Sequence, residues 1–177
     1  MRNFRDYVLL RESNGEPASA DINAIAAGLN FLPTSKKKLT YRFVTNSENM
    51  PPLSYAVSDK QQPVVTVTAD GKETLTPNTA EPNDIIMSGP SQEQYVIKSA
   101  KFPKLYSGQI GGPVTVEQSP RMVAVYTGPD TVMFKAPWGE DMVLKPYDYL
   151  VKEGEGKYYR IAKLEYEQTY NTPGKVG

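Results

Sequence analysis

The sequence predicts a mainly β protein of the α+β class, built as tandem β-hairpin plus short-helix modules with an N-terminal strand and helix added. Three observations predict this. Apolar residues fall at every second position in many short segments, which is the period of a half-buried strand. Gly, Pro, Asn and Asp separate those segments at close spacing. A stretch covering 81–107 returns at 145–171 with a constant offset of 64 positions and no gap.

Taken in order, residues 6–10 (Asp-Tyr-Val-Leu-Leu) read as a short strand. Ser19 or Asp21 then caps a helix expected to run to about residue 30, with Ile22, Ile25 and Leu29 on one face, three alanines favouring the conformation and Pro33 following where a stop is expected. Leu39, Tyr41 and Phe43 alternate with polar residues and predict a strand. Residues 46–63 hold Pro51, Pro52 and Pro63, show little periodicity and read as a loop. Residues 64–69 and 72–76 flank Asp70-Gly71, a hairpin signal in which both turn positions are expected at positive φ. Further strands are expected at 85–88, 95–98, 122–127, 132–136, 142–145, 149–152 and 158–161, and the tail from Thr172 reads as unstructured. The chain divides accordingly: 1–35 as N-terminal strand and helix, 36–108 as a first repeat module with a Pro-rich insertion, and 109–177 as a second module with a C-terminal tail.

The repeat has a physical reading at each matched position. Pro82 matches Pro146, Asp84 matches Asp148, Tyr95 matches Tyr159, Ile97 matches Ile161 and Tyr106 matches Tyr170. Pro fixes φ, and the Asp carboxylate can accept a bond from a backbone N–H two residues on. A strand, a turn and a second strand follow, with Tyr95 and Ile97, or Tyr159 and Ile161, sharing a face. Phe102 and Tyr106 are four apart, as are Tyr166 and Tyr170, which fits one face of a short helix folded back on the hairpin. Upstream, 41–46 aligns loosely with 123–128 at an offset of 82, which implies an insertion of 18 residues in the Pro-rich stretch.

Composition narrows the chemistry. The chain has no His and no Cys, which removes the commonest general base, the physiological-pH switch and every imidazole or thiolate metal site. No catalytic residue, metal or cofactor is therefore expected. Twenty basic residues balance twenty acidic ones, where a duplex-binding protein carries a basic excess, so nucleic acid is not expected as a partner. Lys36-Lys37-Lys38 reads as a solvated loop. No apolar run approaches the ~18 residues of a membrane helix, and the N-terminus lacks the pattern of a cleaved signal. No membrane partner and no secretion by a cleaved signal are expected.

The run Val114-x-Val116-Glu117, then Val125-Tyr126-Thr127-Gly128, Trp138-Gly139, Lys145-Pro146-Tyr147-Asp148-Tyr149, Tyr159-x-Ile161 and Tyr166-Glu167-x-x-Tyr170 resembles the PGDYG family of small, uncharacterised phage and bacterial proteins. The resemblance covers a full copy at 113–171 and a diverged partial copy at 36–107. It departs from the family's name motif: its first Gly is Tyr147 in one copy and Asn83 in the other, and its last Gly is Leu150 and Ile86. Asn tolerates positive φ where Tyr does not easily, so the turn type of the second copy is left open. The resemblance implies a phage or prophage setting and a compact β fold, and implies no reaction.

Two functions follow as expectations. The leading one is a non-enzymatic, phage-type interaction protein, an accessory virion component or a host-factor binder, in the host cytoplasm or the virion. Its partner would be a phage structural protein or a host protein, with a homo-oligomer left open. The interaction candidates are Trp138, on a turn between two strands, with Tyr147, Tyr149 and Tyr158. The alternative is a small-molecule or nucleotide-binding protein using a Tyr-rich pocket between the two modules. Asp84 and Asp148 could be read as paired carboxylates, but turn chemistry accounts for each locally.

Overall fold

The computed structural model describes residues 17–74, 77–117 and 120–175. It is 41% strand and 11% helix, the mainly β architecture that the alternation implies. The strand expected at 6–10 and the end of the one expected at 72–76 lie outside the described residues.

The N-terminal elements are β1 (Ala18–Ser19), α1 (Ile22–Ala27) and β2 (Leu32–Thr34). Asp21 caps α1, its carboxylate accepting from the N–H groups of Asn23 at 3.0 Å and Ala24 at 3.4 Å. The helix stops at Ala27, short of residue 30, because Gly28 leaves helical geometry and its N–H turns back to the Ile25 carbonyl. Ile22, Ile25 and Leu29 pack against the core of the second module, not the first.

The first module contains β3 (Thr40–Phe43), β4 (Ser54–Val57), β5 (Gln62–Val64), β6 (Val67–Thr68), β7 (Gly71–Lys72), β8 (Asn78–Ala80), β9 (Ile85–Ser88), β10 (Gln94–Ile97), α2 (Phe102–Leu105), β11 (Tyr106–Ser107) and β12 (Val114–Val116). The second contains β13 (Arg121–Val125), β14 (Val132–Lys135), β15 (Asp141–Leu144), β16 (Tyr149–Gly154), β17 (Lys157–Ile161) and α3 (Lys163–Thr169). Two sheets dominate, ordered β10-β9-β4-β3-β12-β11 and β17-β16-β13-β2. Among the described residues no helix is long and apolar enough to cross a membrane.

The repeat is visible bond by bond. Asp84 donates its N–H to the Glu81 carbonyl at 3.0 Å, and its carboxylate accepts the Glu81 N–H at 2.9 Å; Asp148 and Lys145 do the same at 3.0 and 2.8 Å. The carboxylate thus reaches three residues back, where the sequence suggested two residues on. The residue before each Asp is left-handed, Asn83 at φ 76° and Tyr147 at φ 72°, so both copies make the same turn. The hairpins β9–β10 and β16–β17 follow, then α2 and α3. Phe102 and Tyr106 stack at 5.0 Å between ring centres, and Tyr166 and Tyr170 at 5.0 Å. These four rings are buried, while Tyr95 and Tyr159 are half-buried.

The upstream pairing is corrected. Asn83 donates to the Ser58 carbonyl and Ser58 to that of Asp84, each at 2.8 Å; Tyr147, Tyr126 and Asp148 repeat the pattern at 2.8 Å. Ser58 therefore matches Tyr126, an offset of 68, and the counterpart of β13 is β4 and not the 41–46 segment. The extra length in the first module is 4 residues, 68 less 64. β4 escaped the sequence reading because Ser54, Tyr55 and Ala56 are all buried, so it carries no alternation to detect. β3 is an added strand, parallel to β4.

Strands also cross the boundaries expected at 35 and 108. β2 completes the second sheet by pairing with β13, and β12, from the segment after 108, completes the first by pairing with β3 and β11. Residues 172–175 are placed against β2, with Gly174 donating to the Pro33 carbonyl at 2.7 Å. In the hairpin at 70–71, Thr68 pairs with Gly71, so Ala69 and Asp70 form the turn and, of Asp70 and Gly71, only Gly71, at φ 120°, is left-handed. The turn shifts by one residue because the Asp70 carboxylate is held by Thr68 Oγ1 on one side and by Arg160 on the other.

Candidate functional site

Three arrangements of polar and aromatic side chains stand out, all touching the second module. The first is a buried ionic network. Arg160, fully buried on β17, donates from Nε to Asp148 Oδ2 at 2.7 Å and from Nη2 to Asp70 Oδ2 at 2.7 Å, with Glu73 Oε1 at 3.9 Å from Nη1. Lys145 Nζ adds a bond to the Asp70 carbonyl at 2.9 Å, and the Ala69 N–H donates to Glu165 Oε2 at 2.9 Å. The hairpin β6–β7 of the first module is thereby fastened to the second. Asp148 and Asp84 are not a carboxylate pair: each caps its own turn, Asp84 with Lys98 Nζ at 3.0 Å and the Ser99 N–H at 3.0 Å. Burial alone would raise the Asp84 carboxyl, but the Glu81, Lys98 and Ser99 bonds hold it below its usual range.

Glu73 is pushed up to about 7, first by burial and then by the charges of Asp148, Glu165 and Asp70, against the opposing pull of Arg160. Between about 4.5 and 7 the folded chain therefore holds a proton that the unfolded chain has released, so this group lowers stability as pH rises through that window. The expected result is that Glu73→Gln leaves the melting temperature unchanged near pH 4.5 and raises it above pH 7. Parallel pH–melting curves check this, and curves that stay superimposed would remove Glu73 from the account.

The second arrangement lies at the seam between the modules. The segment after β2 runs extended beside the end of α3: Lys37 donates its N–H to the Thr169 carbonyl at 2.7 Å and Asn171 donates to that of Ser35 at 2.9 Å. Successive side chains of an extended segment point opposite ways. Lys37 Nζ turns outward to the Glu167 carbonyl at 2.7 Å, and Lys36 turns into the seam, its Nζ 5.9 Å from the Tyr95 ring, 5.6 Å from Tyr106 and 5.8 Å from Tyr170. Tyr95 and Tyr106 hydroxyls lie 3.3 Å apart, and Lys36 Nζ reaches Tyr106 Oη at 3.5 Å. Burial raises the Tyr159 and Tyr170 hydroxyls, and Arg121 opposes the rise at both. Tyr95 and Tyr106 of the first copy and Tyr170 of the second thus meet around one amine. Burial, and then Arg121, lower the Lys36 amine to about 8, against Glu93. Reading 36–38 as a solvated loop misses this, because only Lys37 and Lys38 are exposed; the strand-like spacing around the triplet was the signal available.

The third is an open groove of about 380 Å³ on the outer side of the same segment, bounded by Tyr149, Tyr166, Tyr170, Lys37, Asn171 and Lys175. Its wall is a run of parallel rings, Tyr149 on Tyr166 at 3.6 Å and 11°, and Tyr166 on Tyr170 at 5.0 Å and 6°. Tyr95, Tyr106 and Tyr170 pack around Lys36 at the seam, and Tyr170 also borders the groove.

The four interaction candidates do not form one group. Trp138 sits on the β14–β15 turn, 42% exposed, with its ring 6.2 Å from that of Tyr159. Tyr147 is 64% exposed. Tyr149 is half-buried in the ring stack. Tyr158 is buried against Phe31 at 5.9 Å, because the connection following α1 covers the face of β17 it occupies; it offers no free surface. Among the described residues no group of three or more acidic side chains is placed to hold a metal ion. Comparison with protein-family models, with curated proteins and with solved structures returns no match.

Proposed function

We propose that the protein is a non-enzymatic interaction protein that docks through the Tyr147 turn. The observation that carries this reading is Tyr147 itself. A Tyr at φ 72° sits in the left-handed region, which costs an L-residue about 1–2 kcal/mol relative to its ordinary conformation. Asn83 makes the same turn in the first module with a side chain that tolerates it. Tyr147 is 64% exposed, so packing within the chain does little to offset the strain. A bulky aromatic held in a strained, solvent-facing conformation is suited to contact with a partner. Trp138, on another exposed turn of the same module, supports the same use.

The residues at 113–171 that resemble the PGDYG family support a phage setting, with the partner a phage structural protein or a host protein. Substituting Tyr147→Asn is expected to raise stability by about 1 kcal/mol, since Asn relieves the strain. The same variant, used as bait in a lysate of phage-infected cells, is expected to lose proteins that the wild type retains. Equal retention by both baits, quantified by mass spectrometry, would refute the docking role. A second reading, binding of a small molecule or nucleotide, draws support from the tyrosine-walled groove with Lys37 and Lys175. Titration with ATP, followed through tyrosine fluorescence and repeated with Tyr149→Ala, separates the two.

A further inference from the structure

We infer that Lys36 is a covalent site for a small aliphatic aldehyde: its amine, set between the rings of Tyr95, Tyr106 and Tyr170 at the module seam, condenses with the carbonyl to form an imine. Three observations carry this. The backbone on both sides of Lys36 is fixed to the end of α3 by bonds of 2.7 and 2.9 Å, which directs its side chain among the three rings. The matched place in the first module holds no amine. Lys36 pairs opposite Tyr170 as Val116 pairs opposite Tyr106, and Val116 fills that place in the first module as a buried apolar residue. A hydroxyl stands at the reacting atom, with Tyr106 Oη at 3.5 Å from Nζ and Tyr95 Oη 3.3 Å beyond.

The chemistry balances without a further reagent. The Nζ lone pair attacks the carbonyl carbon, the carbonyl π pair moves to oxygen, and a proton passes from nitrogen to that oxygen to give a carbinolamine. The hydroxyl then leaves as water, taking the second amine proton, and the C=N bond forms. Tyr106 stands where its hydroxyl can hydrogen-bond to the departing oxygen. A lysine shielded from water by rings is the kind that forms Schiff bases, since its neutral form is the nucleophile. With the amine lowered to about 8, roughly a quarter is uncharged at pH 7.5, against about one part in a thousand for an ordinary lysine. Lys36 is only partly exposed between its rings, so a small carbonyl compound is the suitable probe.

The test uses the wild-type chain with propionaldehyde and cyanoborohydride at pH 7.5, mapping alkylated lysines by mass spectrometry. Lys37 and Lys38 serve as internal references on the same segment. The expected result is alkylation of Lys36 at least about tenfold faster than either, since its amine is lowered to about 8 and stands beside the Tyr106 hydroxyl. The preference should vanish in guanidinium, and Tyr106→Phe should slow Lys36 alone. Alkylation of Lys36 no faster than its neighbours in the folded chain overturns the assignment. A preference that survives denaturation overturns it equally, since the seam would then play no part.

Discussion

Replacing Arg160 with Met is expected to destabilise the protein by about 3–5 kcal/mol, because it leaves buried carboxylates without their cation. Arg160 is fully buried and bonds Asp148 and Asp70, each at 2.7 Å, with Glu73 nearby. Burial already raises Asp148 despite the guanidinium, and without Arg160 it and Glu73 would take up protons near neutral pH. Lys145 would remain, but it holds only Asp70. Three further outcomes follow. The variant should lose stability more steeply than wild type as pH rises from about 5 to 8, since groups with raised folded values favour folding only while protonated. Adding Asp148→Asn should recover part of the loss, because Asn can still accept the Lys145 N–H while carrying no charge. Arg160→Lys should not restore the wild type, as an ammonium cannot present two separated donors in one plane. Urea denaturation measures all of these variants, and a loss below about 1 kcal/mol in Arg160→Met would mean that the network does not fasten the β6–β7 hairpin.

Tyr166→Ala is expected to cost about 3–5 kcal/mol, the range for truncating a fully buried aromatic. The residue is 1% exposed, and its ring lies between those of Tyr149 and Tyr170. Its hydroxyl donates to the Asn171 carbonyl at 2.8 Å and stands 3.1 Å from Thr34 Oγ1, which itself donates to that carbonyl at 2.8 Å. The side chain therefore ties α3 to β2, and its loss should loosen the strand that closes the second sheet. Tyr166→Phe, which keeps the ring, should cost about 1 kcal/mol. Phe102→Ala, the matched change in the first module, should fall in the same range as Tyr166→Ala, because Phe102 is similarly enclosed between Tyr55 and Tyr106. A platform for partners would behave in the opposite way, with melting unchanged and binding lost, so thermal denaturation of the two alanine variants decides between core and surface.

The strands that alternate, and the repeat that turns on local chemistry, were legible in the residues alone. Pro82, Asp84, Pro146 and Asp148 announce their turns because the bonds that make them span three residues. Tyr-x-Ile announces its strand through residue types that favour extended backbone, not through polarity: the residue between is apolar Val96 in one copy and fully buried Arg160 in the other. Asp21 reads as a cap for the same local reason. Features set by residues distant along the chain had to wait for the folded molecule. β4 is buried through Ser54, Tyr55 and Ala56 and has no period to read. Which sheet β2 and β12 complete depends on partners far away in the chain: Leu32 pairs with Val123, 91 positions on, and Val114 with Tyr41, 73 positions back. Periodicity says which face of a strand is buried and nothing about such pairings. Lys36 looks like one of three surface lysines until the end of α3 folds beside it. Arg160 sits where the first copy has Val96, so the repeat cannot assign it either. Local bonds and side-chain period are written in neighbouring residues, whereas burial of a charge is decided by whatever the fold brings against it.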